Sequence, residues 1–439
     1  MTVSSSGTAA RRPQQVSLLL FRKLLPLLIV AYVLSFLDRT NIALAKQDLH
    51  IDLGISAAAY GLGAGLFFLT YALSEIPSNL IMHRVGARFW IARIMVTWGL
   101  ISAAMAFVQG ETSFYILRLL LGIAEAGLFP GVMLYLTYWF GREERARATG
   151  YFLLGVCFAN IIGGPIGGTL MKLDGVLGWH GWQWMFMLEG LPAVAFAWVV
   201  WKKLPDRPSQ ATWLSPEEAH ALEKRLSAES EEAHAGHSFR HCFTDPQILL
   251  AILVYFCHQI TIYTVIFFLP GIIGTYGQLS PLAIGLLNAL PWVAAAVGAV
   301  ILPRLANTPS RSRCMLMSGF LVMASGLLIA AFSGPVIALI GFCLSASMFF
   351  VVQSIIFLYP SSRLQGAALA GGLAFVNSCG LLGGFVGPSV MGLVEQTTGE
   401  PTNGLVMMAA ALAVAAVLSM RLRQGQEIVG NGAITVREA

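Results

Sequence analysis

Long stretches of this chain carry no Lys, Arg, Asp or Glu. None occurs between Asp245 and Arg304, between Arg313 and Arg363, or between Arg363 and Glu395. A helix needs about 20 mostly apolar residues to cross a bilayer. The first two gaps each have room for two such helices and a turn, and the third for one. Spanning strands would be about 9–11 residues long and would alternate polar and apolar side chains. These runs do not alternate, so helices are expected. Composition agrees: 56% of residues are apolar and 11% charged, against about 25% charged in soluble domains. A soluble globular protein, a disordered chain and a small disulfide scaffold are excluded.

The pattern predicts twelve spans, near residues 22–45, 57–80, 88–108, 112–139, 146–171 and 182–201, then 246–273, 281–302, 314–332, 335–358, 366–392 and 402–420. The expected fold is all-α and integral to the membrane, with two six-helix bundles at 22–203 and 246–423. Residues 204–245 read as a polar linker, and 1–21 and 424–439 as tails. Within the linker, Ser215-Pro216-Glu217-Glu218 looks like a helix start, with an N-cap, a first-turn proline and acids at the positive dipole end. Basic residues cluster at the span ends that share a side with both tails and the linker, from Arg11, Arg12, Arg22 and Lys23 through Arg84, Arg88, Lys202 and Lys203 to Arg421 and Arg423. The opposite side has Lys46 and Lys172. The positive-inside rule then puts the tails and the linker in the cytoplasm. It also accounts for the net charge of +5 without a nucleic-acid partner.

The halves echo each other. Ser56–Leu62 (SAAAYGL) aligns with Ser280–Leu286 (SPLAIGL), and Gly163-Gly164-Pro165 with Gly387-Pro388. Small residues let membrane helices approach closely, and proline bends them. Such repeats suit a transporter whose site lies between the halves.

An ionisable group inside a span costs at least about 2.5 kcal/mol on insertion scales, so it faces a cavity or a partner. The first half holds Asp38, Arg39, Glu75, Arg118, Glu125 and Glu189; the second holds His258. Arg118 and Glu125 are seven residues apart and return to nearly one helix face. They suit an anion clamp and a proton acceptor, or else an ion-pair ladder with Asp38 and Arg39. Adjacent Asp38 and Arg39 must point about 100° apart, so an Arg39 facing a cavity leaves Asp38 facing a neighbouring helix. Glu75 reads as a gating or structural partner of a basic loop residue. Glu189 reads as structural, and so does His258. Tyr71, Gln259, Tyr263, Asn288, Gln353 and Asn377 are neutral groups able to complete a site or bridge helices. Phe67, Phe68 and Trp292 could wall an aromatic substrate.

No P-loop, Gly-x-Ser-x-Gly elbow or His-Glu-x-x-His is present, so neither an ATP motor nor an enzyme is expected. The six cysteines show no metal spacing, and no cofactor is expected beyond a coupling proton.

Several ordered motifs resemble the anion:cation symporter family of the major facilitator superfamily. They are Phe36-Leu37-Asp38-Arg39-Thr40-Asn41-Ile42-Ala43, Glu75-Ile76-Pro77-Ser78-Asn79 with Arg84-Val85-Gly86-Ala87-Arg88, Arg118 with Gly122–Gly131, Gly181–Phe186 with Glu189-Gly190, and Trp213–Glu218. The resemblance is densest in residues 30–220 and looks like bacterial permeases for tartrate, phthalate, hydroxyphenylacetate and sugar acids. It implies proton-coupled uptake of a small organic anion by alternating access, in a bacterial inner membrane. An anion/anion exchanger is the alternative. It also implies that Arg39, Arg118, Tyr71, Gln259 and Asn377 contact substrate, and that Asp38 and Glu125 handle protons. Glu75, Arg84 and Arg88 would gate, because His83 stands where the superfamily loop has an Asp. One chain contains both halves, so a monomer is expected.

Overall fold

The computed structural model describes residues 13–233, 242–306, 308–364, 366–430 and 433–438. Arg11 and Arg12, and part of the predicted linker (234–241), lie outside the described residues.

Among the described residues, twelve helical stretches are long and apolar enough to cross a membrane: Gln14–Leu53, Ala57–Val85, Ala87–Phe107, Glu111–Thr137, Glu143–Leu173 and Gly181–Lys203, then Pro246–Gly274, Pro281–Leu305, Pro309–Phe332, Pro335–Ser361, Gly371–Thr398 and Thr402–Ser419. They are numbered 1–12 below. The first helix begins at Pro13, so residues 13–21 are helical where a tail was expected. Val16, Leu20 and Leu24 explain this: spaced four apart, they carry one buried stripe past the exposed Arg22 and Lys23. At the other end, β1 (Gly425–Gly430) and β2 (Ala433–Glu438) form an antiparallel hairpin in the predicted tail.

Local chemistry sets the helix starts. Ser56 Oγ accepts from Ala59 N at 3.2 Å, and Ser280 Oγ accepts from Ala283 N at 3.2 Å. The echoed sequences thus make the same N-cap in both halves. In the linker, Ser215 and Glu218 form a reciprocal capping box, at 3.2 and 3.0 Å, at the head of helix Pro216–Ala233.

Four spans are interrupted. Span 1 breaks at Asn41, span 4 at Ala126–Gly127, span 10 at Met348 and span 11 at Leu382. At the span 4 break Gly127 has φ +93°, and a Cβ there would lie 2.1 Å from Ser78 Oγ. No other residue type fits that conformation and that contact. Broken helices in transporters place polar groups at the membrane midplane. Here the breaks in spans 1 and 4 follow Arg39 and Glu125 by two residues or fewer.

The two bundles meet through backbone. A Cβ on Gly285 of span 8 would lie 2.0 Å from the Gly164 carbonyl of span 5, and one on Gly61 of span 2 would lie 2.2 Å from the Pro388 carbonyl of span 11. These contacts occupy the half of the molecule away from the linker, called the loop end below. Gly285→Val should hold the bundles apart there. Overpacking costs about 1–3 kcal/mol, which shifts the closed population about fivefold to about 150-fold. Spin labels on the exposed Ile51 and Thr397 positions, in a background free of the native cysteines, should report a longer distance.

Candidate functional site between the bundles

Spans 1 and 4 bring the buried charges together. An Arg39 Nη donates to Glu125 Oε1, and Ser35 Oγ donates to the same oxygen. Ser35 lies four residues before Arg39, on the same face of span 1. Glu125 Oε2 and Arg39 Nε have no protein partner. The pair is almost solvent-free, with Arg39 5% and Glu125 0% exposed. Loss of either partner would strand a buried charge, which costs about 3–5 kcal/mol.

Arg118 takes a different position. Its Nε donates to Gly63 O at 3.2 Å and its Nη2 to Ala64 O at 3.3 Å, both on span 2. Nη1 is buried and unpartnered. The Phe67 ring links the two arginines: Arg39 Cζ is 5.1 Å and Arg118 Cζ 4.9 Å from its centroid. Phe36 and Tyr71 also lie against the Arg39 guanidinium, at 4.5 and 5.3 Å. Aromatic faces hold desolvated cations in place by their quadrupoles. The second bundle closes over this group from span 7. Tyr263 packs on Phe68 at 4.0 Å and its hydroxyl is in reach of Arg39, while Phe267 lies 5.8 Å from Arg118 Cζ.

Asp38 turns away, as the 100° step requires. Trp98 Nε1 and Ser102 Oγ of span 3 each donate to it at 2.8 Å. The ion-pair ladder of the sequence reading therefore reduces to one rung, Arg39–Glu125. Trp98 and Ser102 carry no sequence signal beyond their four-residue spacing.

Glu75 bonds neutral groups of the other bundle, in place of the expected basic loop residue. Asn377 Nδ2 donates to it at 3.3 Å, and Ser378 Oγ donates to its second oxygen. Arg84 lies nine residues further along, about 13 Å of helix rise, beyond Pro77. Arg88 is held elsewhere, with its guanidinium 5.1 Å from Trp201 and its backbone N–H donating to Asp206 at 2.7 Å. Asn377 also accepts from Tyr255, which receives a bond from Gln353. Gln259 is 3% exposed with Oε1 unpartnered. His258 is anchored through Nε2 to the Phe349 carbonyl at 2.9 Å. Trp292 packs on Phe349 inside the second bundle, apart from the aromatic group around Phe67 and Phe68.

Lys46, read from sequence as a loop-side charge, forms an inter-bundle ion pair with Glu395 at 2.5–2.6 Å. Tyr60 adds a 2.9 Å bond to the Phe267 carbonyl beside it. Lys46→Met should weaken the loop-end seal by about 1 kcal/mol, the scale of one partly exposed pair. The same spin-label distance should broaden toward longer values.

Residues 28–388 match the family model described as Major Facilitator Superfamily. A putative tartrate transporter of Agrobacterium vitis is 42% identical over 91% of this chain and 89% of its own. A quinolone resistance transporter of Acinetobacter baumannii is 37% identical over 90% and 92%. Among solved structures, a bacterial homologue of the human lysosomal transporter Spinster, inward-facing and occupied, superposes with TM-score 0.72. It is 17% identical and covers 91% of this chain and 96% of its own, a likeness of fold alone. The chain belongs to the Major Facilitator Superfamily and is a multi-pass secondary transporter.

Proposed function

We propose that the protein carries a small organic acid, of the hydroxy-dicarboxylate kind that includes tartrate, into the cell with protons. One observation carries the reading: two buried guanidiniums share the Phe67 ring, and each keeps a donor without a protein partner. A dry site with two arginines and a single paired carboxylate has capacity for an anion. Guanidinium forks bind carboxylates with two parallel hydrogen bonds. The names of the relatives from A. vitis support the same substrate class.

Coupling follows from competition. While Glu125 is charged it engages Arg39. A proton on Glu125 releases that guanidinium, and the substrate carboxylate takes its place. Arg118, with no carboxylate bonded to it, binds the second substrate carboxylate. Asp38 carries the second proton, and Tyr71, Gln259 and Asn377 meet the substrate's hydroxyls. Glu75 with Asn377 and Ser378 latches the linker end, and Lys46 with Glu395 the loop end. Arg84 and Arg88 support the linker-end turn between spans 2 and 3. The linker end faces the cytoplasm of a bacterial inner membrane, and the monomer is the working unit.

Thermal stabilisation of the purified protein by ligand tests the substrate class. Tartrate, phthalate, 4-hydroxyphenylacetate, galactonate and uncharged xylose form the panel. A ligand at a hundredfold its Kd stabilises by about 2.7 kcal/mol. Tartrate is expected to stabilise most and xylose not at all. Stabilisation by xylose, or by none of the acids, contradicts the reading.

A further inference from the structure

Beside the arginine site lies a small polar cavity. It is lined by Asn41 of span 1, Asn160, Gly163 and Gly164 of span 5, Glu189 of span 6 and Asn288 of span 8. Its volume, about 10 Å³, suits one water molecule. Glu189 is 5% exposed, and neither carboxylate oxygen makes a hydrogen bond of good geometry within the protein. Asn41, at the break in span 1, is 4% exposed, and its amide atoms likewise make no hydrogen bond of good geometry. Two side chains act on Glu189: Asp38 of span 1, another carboxylate, and the Asn41 amide, which is in loose hydrogen-bond contact with it. Spans 5, 7 and 8 line the cavity with amide and apolar groups, and span 3 brings Gly99 and Ser102 against neighbouring Gly190. Among the described residues, no basic side chain lines it.

A buried carboxylate with no cation beside it is expensive. Something absent from the protein's own side chains must balance it, and the cavity is large enough for a proton and one water. We propose that Glu189 is a proton-binding site distinct from the Arg39–Glu125 pair. It holds one exchangeable proton, hydrogen-bonded through a single water to Asn41. Asn288 belongs to the opposite bundle, and the Gly164–Gly285 contact forms the cavity's edge. Separation of the bundles at the loop end therefore opens the cavity, and closure isolates the proton next to Asp38. Proton exchange at Glu189 is then tied to the alternating motion. Only that last link rests on the transport reading. The site itself is measured without substrate.

Infrared difference spectra of the lipid-reconstituted protein, in H2O and D2O at neutral pH, read protonated carboxyl groups directly. The wild type is expected to show a carboxylic C=O band that Glu189→Gln loses and Glu125→Gln keeps. That band should exchange with D2O faster in Gly285→Val, where the bundles are held apart. If Glu189→Gln does not fold, Asn41→Ala decides. It keeps the carboxyl and removes the amide beside it, so one such band should shift. Superimposable spectra of the wild type and Glu189→Gln, or an unshifted band in Asn41→Ala, would overturn the proposal. So would loss of the wild-type band on adding sodium chloride, since a metal ion would then hold the site. Failure of Glu125→Gln in uptake would leave these spectra unaffected, so the two readings fail separately.

Discussion

Arg118→Lys should weaken binding of the transported acid about a hundredfold, or about 2.7 kcal/mol, while the protein still folds. The reason is geometric. Arg118 uses Nε and Nη2 to hold the Gly63 and Ala64 carbonyls of span 2, which leaves Nη1 for the substrate. A guanidinium does all of this at once because its donors are fixed in a plane. Lysine has one nitrogen on a flexible stem, so it either bonds span 2 or reaches the anion. Its charge remains, which keeps the Phe67 contact and limits the loss of stability. Isothermal titration with tartrate measures the effect. A loss of less than fivefold would mean that Arg118 only braces span 2.

Glu125→Gln should uncouple transport. The variant keeps an oxygen for Arg39 and Ser35 but has no group to protonate. Arg39 is left as a cation with a weaker partner, and the substrate anion becomes its natural counter-charge. Exchange of internal for external acid should continue at near the wild-type rate. Accumulation against a gradient should vanish. Each pH unit is worth about 1.4 kcal/mol per proton, roughly tenfold in concentration ratio. A one-unit gradient should therefore change the variant's final ratio by less than twofold. Retained accumulation would mean that Asp38 or Glu189 couples transport without Glu125, and would contradict the competition for Arg39.

The span count was legible because charge-free gaps have a length set by bilayer thickness. The linker helix start was legible because Ser215 is a short-range cap, and the structure adds the same cap at Ser56 and Ser280. The membership of the site was legible in part, since a buried Arg or Glu has few alternatives to function or pairing. What could not be read was who meets whom. Arg39 and Glu125 are 86 residues apart, and Glu75 and Asn377 are 302 apart. No local period links such distant positions. Glu75 was expected to seek a cation, but the bundle interface supplied an amide and a hydroxyl instead. The 100° step predicted that Asp38 would leave the cavity, yet only the packing of span 3 names Trp98 and Ser102 as its partners. The breaks at Asn41 and Gly127 were not read from the sequence, because the two helical pieces on either side of each together make one membrane-length stretch.

The central claim is that Glu125 and the substrate anion compete for Arg39, so that a proton gradient drives the acid. Uptake of labelled tartrate into proteoliposomes with an alkaline interior tests it most directly. Tartrate is a dianion near neutral pH, so two protons, on Glu125 and Asp38, carry it in with no net charge, and the pH gradient alone drives it. The account predicts accumulation that collapses with a protonophore and is unchanged when the interior is made negative at a fixed pH gradient. Uptake that ignores the gradient and the protonophore, and speeds up only with preloaded internal acid, would contradict it and make the protein an exchanger.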